Sequence, residues 1–385
     1  MNFILLRIII FILFTFCFLQ VPNITFAVED PFARPNNFVG IHILFTTELA
    51  KAAELVNASG GDWGYVTIPI QFADRDLEKW QKFMDSAKQA HIIPILRLST
   101  EPDYKNTSVW RIPNNYDIVD LANFLNSLDW PIKNRYIIVF NEVNRFDEWG
   151  GMPPNPREYT DILSYTVDAF KERSSDFYII MGGLDNGAPN DGQEYLNVFE
   201  YLRAMAQYNA DVFKKIDGFS SHSYPNPNFA QAPSDEAKVS TSTYLHEYEL
   251  INNLAGKKVP AFITETGWNN EAVSEDKIAM YYTQTFSNIW QNHSDKIVAI
   301  TPFILASHGG FDKFSFLKNG VPTKYFTAVK NLPKVQGAPE YIKTVEMPLF
   351  AEEIKGKAAS EENNDLFKND FSGVVKLYFK SMFGL

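Results

Sequence analysis

Two glutamates in this chain stand at the ends of apolar runs: Tyr136-Ile-Ile-Val-Phe-Asn-Glu142 and Ala261-Phe-Ile-Thr-Glu265-Thr-Gly-Trp268. Such runs belong in a core, and a carboxylate directly after one is costly to desolvate unless it is paired or opens on a cleft. Two carboxylates converging on one pocket can divide acid–base and nucleophilic work between them. Other polar and aromatic side chains also follow apolar runs: Arg97 and Ser99, Asn141, Asp185 and Asn186, His222 and Tyr224, Trp268, Ser307 and His308.

The elements that must position these residues are legible as an alternation. Short apolar runs occupy Phe38–Leu44, Tyr65–Ile70, Ile92–Leu98, Tyr136–Phe140, Phe177–Met181, Gly218–Ser221, Val259–Thr264 and Ile297–Leu305. Between them lie segments with helical spacing, such as Leu77, Trp80, Phe83, Met84 and Ala87, or Tyr159, Ile162, Leu163, Val167 and Phe170. Asn155 before Pro156, and Ser274 before Glu275 and Asp276, mark helix starts. Strands alternating with helices pair in parallel, and eight such units in about 300 residues predict an α/β fold, a closed (β/α)8 TIM barrel over 30–335. The alternative is an open doubly wound sheet, which is disfavoured because no G-x-G-x-x-G turn follows the first run. In a barrel of this kind the active site lies at the C-terminal ends of the strands.

Hydrolysis of a glycosidic bond needs one group that protonates the leaving oxygen and a carboxylate that attacks or stabilises the anomeric carbon; in retaining enzymes the two lie about 5–5.5 Å apart. The Asn141-Glu142 pair after the fourth run, His222-Ser-Tyr224 after the sixth and Glu265-Thr-Gly-Trp268 after the seventh together resemble glycoside hydrolase clan A, the retaining (β/α)8 glycosidases, over the whole barrel. The resemblance implies Glu142 as general acid/base and Glu265 as nucleophile. It also implies that Asn141 hydrogen-bonds the 2-hydroxyl of the sugar being cleaved and that His222 and Tyr224 orient the carboxylates, Tyr224 through a hydroxyl on Glu265. The structural alternatives are a loop carboxylate beside Arg145, a helix-capping Glu265, a turn-forming Asn141, an interior His222 and a packing Tyr224.

Arg97 either supports Glu265 or pairs with Glu101 or Asp103. Trp268, Trp149, Trp63 and Trp110 fall in or near loops, where flat faces can stack on sugars, whereas Trp80, Trp130 and Trp290 fall in helical segments and belong to the core. One departure from the clan is visible. Where many members have a tryptophan at the end of the eighth strand, Ile300-Thr-Pro-Phe303-Ile-Leu has none.

Residues 1–27 read as an export signal, with Arg7, an apolar run from Ile8 to Leu19 and a Thr25-Phe26-Ala27 cleavage site, or as an uncleaved anchor. Either places the body outside the cytoplasm. The single cysteine, Cys17, lies in that segment, so the remainder has neither disulfides nor a thiolate metal site. Losing Arg7 takes the net charge from −11 to −12, which argues against nucleic acid and suits a neutral glycan.

A metal-dependent hydrolase would want an H-x-H pair on the first strand, where His42 stands alone, and a serine hydrolase would want G-x-S-x-G. The expectation is therefore an exported retaining glycosidase for a β-linked polysaccharide or oligosaccharide, with no metal or organic cofactor. Its rival is a barrel that holds sugar, or serves as a surface scaffold, without cutting. Residues 336–385 are assigned as a linker, charged over 351–364, and an amphipathic tail over 365–385 whose stripe would dock on the barrel, on a partner protein or on a membrane surface.

Overall fold

The computed structural model describes residues 28–234 and 236–341. Each expected run contributes a strand: β1 (Gly40–His42), β2 (Gly64–Gln71), β3 (Ile92–Ser99), β4 (Arg135–Asn141), β5 (Phe177–Gly183), β6 (Gly218–His222), β7 (Ala261–Glu265) and β8 (Ile297–Ile300). They pair in chain order and in parallel. A Val39–Ile300 bridge, with bonds from Ile300 N–H to Phe38 O (2.8 Å) and from His42 N–H to Pro302 O (3.0 Å), joins β8 to β1 and closes the barrel. Strands covered on both faces read as continuous apolar runs, and every residue of β5 and β7 is buried.

Two strands fall well short of their runs, for identifiable reasons. The Glu48 carboxylate accepts the backbone N–H groups of Leu44 (2.8 Å) and Phe45 (3.0 Å), turning the chain away after β1. Pro302 has no N–H to give a ladder, so β8 stops before it. The following residues instead bond Phe303 N–H to Thr266 O and Leu305 N–H to His42 O, both at 2.9 Å, which lays the Phe303 ring edge-on to His42.

The outer ring is α1 (Leu49–Val56), α2 (Leu77–Gln89), α3 (Asn115–Asn126), α4 (Pro156–Arg173), α5 (Val198–Asn209), α6 (Asp211–Lys215), α7 (Thr243–Ala255), α8 (Glu275–Gln284) and α9 (Lys324–Asn331). The inward stripes are those of the sequence pattern: Trp80, Phe83, Met84 and Ala87 on α2, and Tyr159, Ile162, Leu163, Val167 and Phe170 on α4. Leu77 is the exception, 54% exposed at the first turn of its helix. Asn155 caps α4 by accepting Glu158 N–H at 3.3 Å. Ser274 precedes α8 without a side-chain cap bond, leaving Glu275 and Asp276 to complement the positive helix end.

Val28 and Phe32 pack on Trp63, Tyr65, Tyr136 and Tyr178 at the N-terminal end of the barrel. Residues 336–341, assigned outside the barrel from sequence, also lie along this end. Gly337 N–H bonds Asp62 O (3.0 Å), Ala338 N–H bonds Pro35 O (2.9 Å), and Lys133 N–H bonds Glu340 O (2.8 Å). The opposite, C-terminal end is left to loops and polar side chains. Among the described residues no helix is long and apolar enough to cross a membrane. The export signal or anchor, the charged linker and the amphipathic tail lie outside the described residues.

Candidate active site

Asn141 and Glu142 are neighbours, and in a regular strand their side chains would face opposite ways. The backbone at the end of β4 prevents this. Phe140 (φ 68°) and Glu142 (φ 38°) occupy the left-handed region, a strain of about 1–3 kcal/mol each for non-glycine residues. The ladder passes from Val139–Met181 to Asn141–Gly183, and Glu142 N–H bonds Gly183 O at 2.8 Å. Both side chains thereby reach the mouth. Gly183 itself makes room, because a methyl there would run into the His222 ring.

Six of the seven residues singled out as site candidates converge. Glu142 Oε1 lies 2.8 Å from His222 Nδ1, and its Oε2 accepts from Arg145 Nη1 at 3.3 Å. Glu265 Oε1 accepts from Arg97 Nη1 at 2.6 Å, and its Oε2 accepts from the Tyr224 hydroxyl at 3.1 Å. His222 Nδ1 is also 3.8 Å from Glu265 Oε2, and an oxygen of Glu142 lies within 4.8 Å of one of Glu265. Arg97 thus pairs with Glu265 and not with Glu101 or Asp103; Glu101 is held by Arg111 at 2.7 Å. Arg97 Nη1 donates to Asn141 Oδ1 at 2.5 Å as well, and Asn141 Nδ2 donates to Glu148 Oε1 at 3.0 Å, which fixes the orientation of the amide.

Trp268 is the seventh, and the structure does not offer it to a ligand. It is 2% exposed, packed on Tyr281 and Tyr282 of α8, and its indole N–H is spent on Gln231 O at 2.8 Å. The other three tryptophans expected to stack on sugars are also covered: Trp149 at 1%, Trp110 at 4%, and Trp63 at 8%, stacked on His91 at the opposite end of the barrel. The aromatic ring that does line the open cleft together with Tyr224 is Phe229, which no sequence motif marked. The cleft has a volume of about 760 Å³ and runs from Glu142 and Arg145 past Tyr224 and Phe229 to Lys238.

Charge is dense here. Burial pulls the proton affinity of His222 down, but the Glu265 and Glu142 carboxylates outweigh it and the net shift is upward. Burial and the neighbouring Asp147 and Glu142 push the Glu148 carboxyl up to about 8. Burial, then Glu142, raises Asp185. Arg145 stays charged despite burial because Glu142, Asp147 and Asp185 surround it. His42, the lone histidine of β1, is fully buried with its Nδ1 3.7 Å from Glu265 Oε1 and neither ring nitrogen hydrogen-bonded. Burial, then Arg97 and His222, keep it neutral.

Glu142, His222 and Glu265 are close enough for one ion to touch all three. Their other partners make this a poor cation site: guanidinium groups already lie 2.6 Å from Glu265 and 3.3 Å from Glu142, so a divalent ion would meet positive charge from both sides. The set is a pair of buried carboxylates with its own counter-charges.

No family model matches the chain, and no curated protein matches it. Solved structures do. A family 39 glycoside hydrolase from Bacteroides cellulosilyticus WH2 aligns with TM-score 0.55 and 15% identity over 79% of this chain and 64% of its own. A monomeric beta-xylosidase from Caulobacter crescentus CB15 aligns at 0.52 and 14% (78% and 69%), and a GH5_18 protein from Bifidobacterium longum subsp. infantis at 0.54 and 11% (77% and 78%). The fold is therefore the (β/α)8 barrel that these glycoside hydrolases share, and the chain spans somewhat less than two thirds of the first of them.

Proposed function

We propose that this chain is an exported, retaining β-glycoside hydrolase that cuts a polysaccharide or oligosaccharide by double displacement. The observation that carries the reading is the approach of Glu142 and Glu265 oxygens to within 4.8 Å across the barrel mouth. That spacing suits direct attack on the anomeric carbon, for which carboxyl groups stand about 5–5.5 Å apart, and is too short for the intervening water of an inverting enzyme at about 6.5–9.5 Å.

In this reading Glu265 attacks the anomeric carbon while Glu142 protonates the departing oxygen; Glu142 then takes a proton from the water that releases the sugar. The Arg97 guanidinium and the Tyr224 hydroxyl fix one Glu265 oxygen each. Asn141, its carbonyl held by Arg97, keeps an N–H for the sugar 2-hydroxyl. Glu142 must hold a proton although Arg145 lies 3.3 Å away, and His222 Nδ1 at 2.8 Å is the group that can share one with it. Because the His222 pKa is raised against burial, chiefly by Glu265 and Glu142, its imidazolium keeps its proton above the usual histidine range and loses it as pH rises further. Replacing His222 by Asn removes this store, so the basic limb of the kcat/KM profile is expected to move to lower pH by at least about one unit, with the acid limb less affected. A profile of kcat/KM against pH for both proteins checks this, and an unmoved basic limb removes His222 from the proton inventory.

The function is tested by incubating the purified protein with β-glucan, mannan, xylan and galactan and with aryl β-glycosides, scoring new reducing ends and following the anomer first released by proton NMR. Release of the β-anomer supports the reading. Binding with no new reducing ends on any member of the panel would replace it by the carbohydrate-binding reading.

A further inference from the structure

The proposed chemistry makes the two sides of the scissile bond unequal. The leaving oxygen must come within about 2.6–3.2 Å of Glu142, so whatever it carries extends on the Glu142 side of the mouth. The 760 Å³ cleft opens on that side: Glu142 and Arg145 line it, and Glu265 and Arg97 do not. Resting on the glycosidase reading, we propose that this cleft is the leaving-group side of the site, built to hold at least two neutral sugar units, so that the bond cut is one followed by an oligosaccharide and not by a small aglycone.

Size is the first argument. The volume lies in the upper part of the range of pockets that enclose a drug-sized ligand, about 300–1,000 Å³, and a single pyranose ring is smaller than such a ligand.

The second argument is that the wall is already built. The segment from Tyr224 to Gln231 is held along its length: Asn186 Nδ2 donates to Tyr224 O (2.9 Å) and Asn226 Nδ2 to Asn186 Oδ1 (3.1 Å). Asn269 N–H bonds Phe229 O (3.0 Å), and the Trp268 indole N–H bonds Gln231 O (2.8 Å). Trp268, expected to meet sugar itself, thus serves by holding the wall. The half-buried Phe229 ring stands edge-on to Tyr224 (5.0 Å) and Phe314 (5.1 Å) while lining the cleft, which offers apolar surface to the C–H face of a sugar. Nearby, the Gln231 side chain and the Asn197 amide nitrogen have no hydrogen-bond partner among the described residues, so their hydrogen-bonding groups are open to hydroxyls.

Charge is the third. Arg145 is shared among Glu142, Asp147 and Asp185, and the other cation of the cleft, the exposed Lys238, lies against the Phe199 ring. Among the described residues lining the cleft, no cluster of uncommitted cations waits for a uronate.

The test takes the sugar that proves active in the panel and compares kcat/KM for its 4-nitrophenyl β-glycoside with that for the β-linked di-, tri- and tetrasaccharides, each labelled at the reducing end with 2-aminobenzamide. The expected result is a rise of at least tenfold from di- to trisaccharide, with labelled disaccharide as the main leaving product. Phe229→Ala and Gln231→Ala are expected to reduce kcat/KM for the trisaccharide at least tenfold more than for the disaccharide. Thermal melting of each variant excludes a folding defect, and the chain-length series on the unaltered protein is decisive by itself. Equal kcat/KM for di- and trisaccharide, or labelled monosaccharide as the dominant product, overturns the inference while the glycosidase reading stands. Faster cleavage of a chain with uronic acids on the leaving side overturns its neutral-sugar part. No turnover of any glycoside overturns both.

Discussion

Glu265→Ala is expected to reduce hydrolysis of every glycoside by more than about 10⁴-fold, because removing a nucleophile costs as much as removing the whole covalent pathway. Glu142→Ala should fail differently. Glycosides with poor leaving groups should slow by about 10²–10⁴-fold, the usual worth of general acid catalysis, whereas an aryl glycoside with an activated leaving group, which needs little protonation, should still form the glycosyl-enzyme. Water then lacks a base, so the intermediate accumulates and is visible as added mass on the protein. Azide discriminates the two variants by stereochemistry. It attacks the intermediate of Glu142→Ala to give a β-azide, and displaces the leaving group directly in Glu265→Ala to give an α-azide, since the deleted carboxylate leaves space on that face. The structure provides the geometry for this contrast, with Glu142 on the cleft that the leaving group would occupy and Glu265 fully buried beneath it. Azides of the same configuration from both variants, or full activity in either, would refute the assignment of roles.

What could be read from the sequence follows from which interactions are local. The apolar runs ending in Glu142 and Glu265 are self-contained signals, since a buried strand and the polar residue closing it are adjacent in the chain, and counting such runs was enough to give the barrel. The partner of Arg97 was not legible in this way. Its two acceptors, Asn141 and Glu265, lie 44 and 168 residues away, and they meet it only because β3, β4 and β7 surround one mouth; the nearby Glu101, plausible in sequence, belongs to Arg111. The loop tryptophans differ from expectation for the converse reason, while Trp80, Trp130 and Trp290 lie in the core as their places in or beside helical segments imply. A loop position says that a ring is near the surface but not which way it faces, and Trp268 is covered by Tyr281 and Tyr282 from α8. Phe229 carried no signal at all, because its place in the cleft depends on a left-handed backbone (φ 54°) and on anchors from Asn186 and from Trp268 and Asn269 that come from two other segments. Glu148 shows the limit for proton affinity: in Asp147-Glu148-Trp149 it looks like a solvated acid, and only burial, helped by the nearby charges of Asp147 and Glu142, raises it to about 8.

Arg97→Met tests whether the charge pair beneath the site is structural as well as functional. Arg97 and Glu265 side chains are 2% and 1% exposed and 2.6 Å apart, so removing the cation leaves a buried carboxylate with only His222, 3.8 Å away, as a counter-charge. Breaking a buried pair on one side costs about 3–5 kcal/mol, and that loss is expected near pH 8 from urea unfolding midpoints. The pH dependence gives the sign. In the variant, Glu265 without Arg97 binds a proton more readily in the folded state than in the unfolded chain. Folded protein that binds more protons than unfolded gains stability as pH falls, so the penalty should shrink between pH 8 and pH 5. The same change should lower kcat/KM and move its acid limb to higher pH, because the nucleophile must now ionise without Arg97. Arg97→Lys should fall between the two proteins, since one ammonium cannot reproduce the planar group that reaches Asn141 and Glu265 together. A penalty below about 1 kcal/mol at pH 8, the worth of an exposed pair, would mean that water screens the site and that Arg97 does not control Glu265.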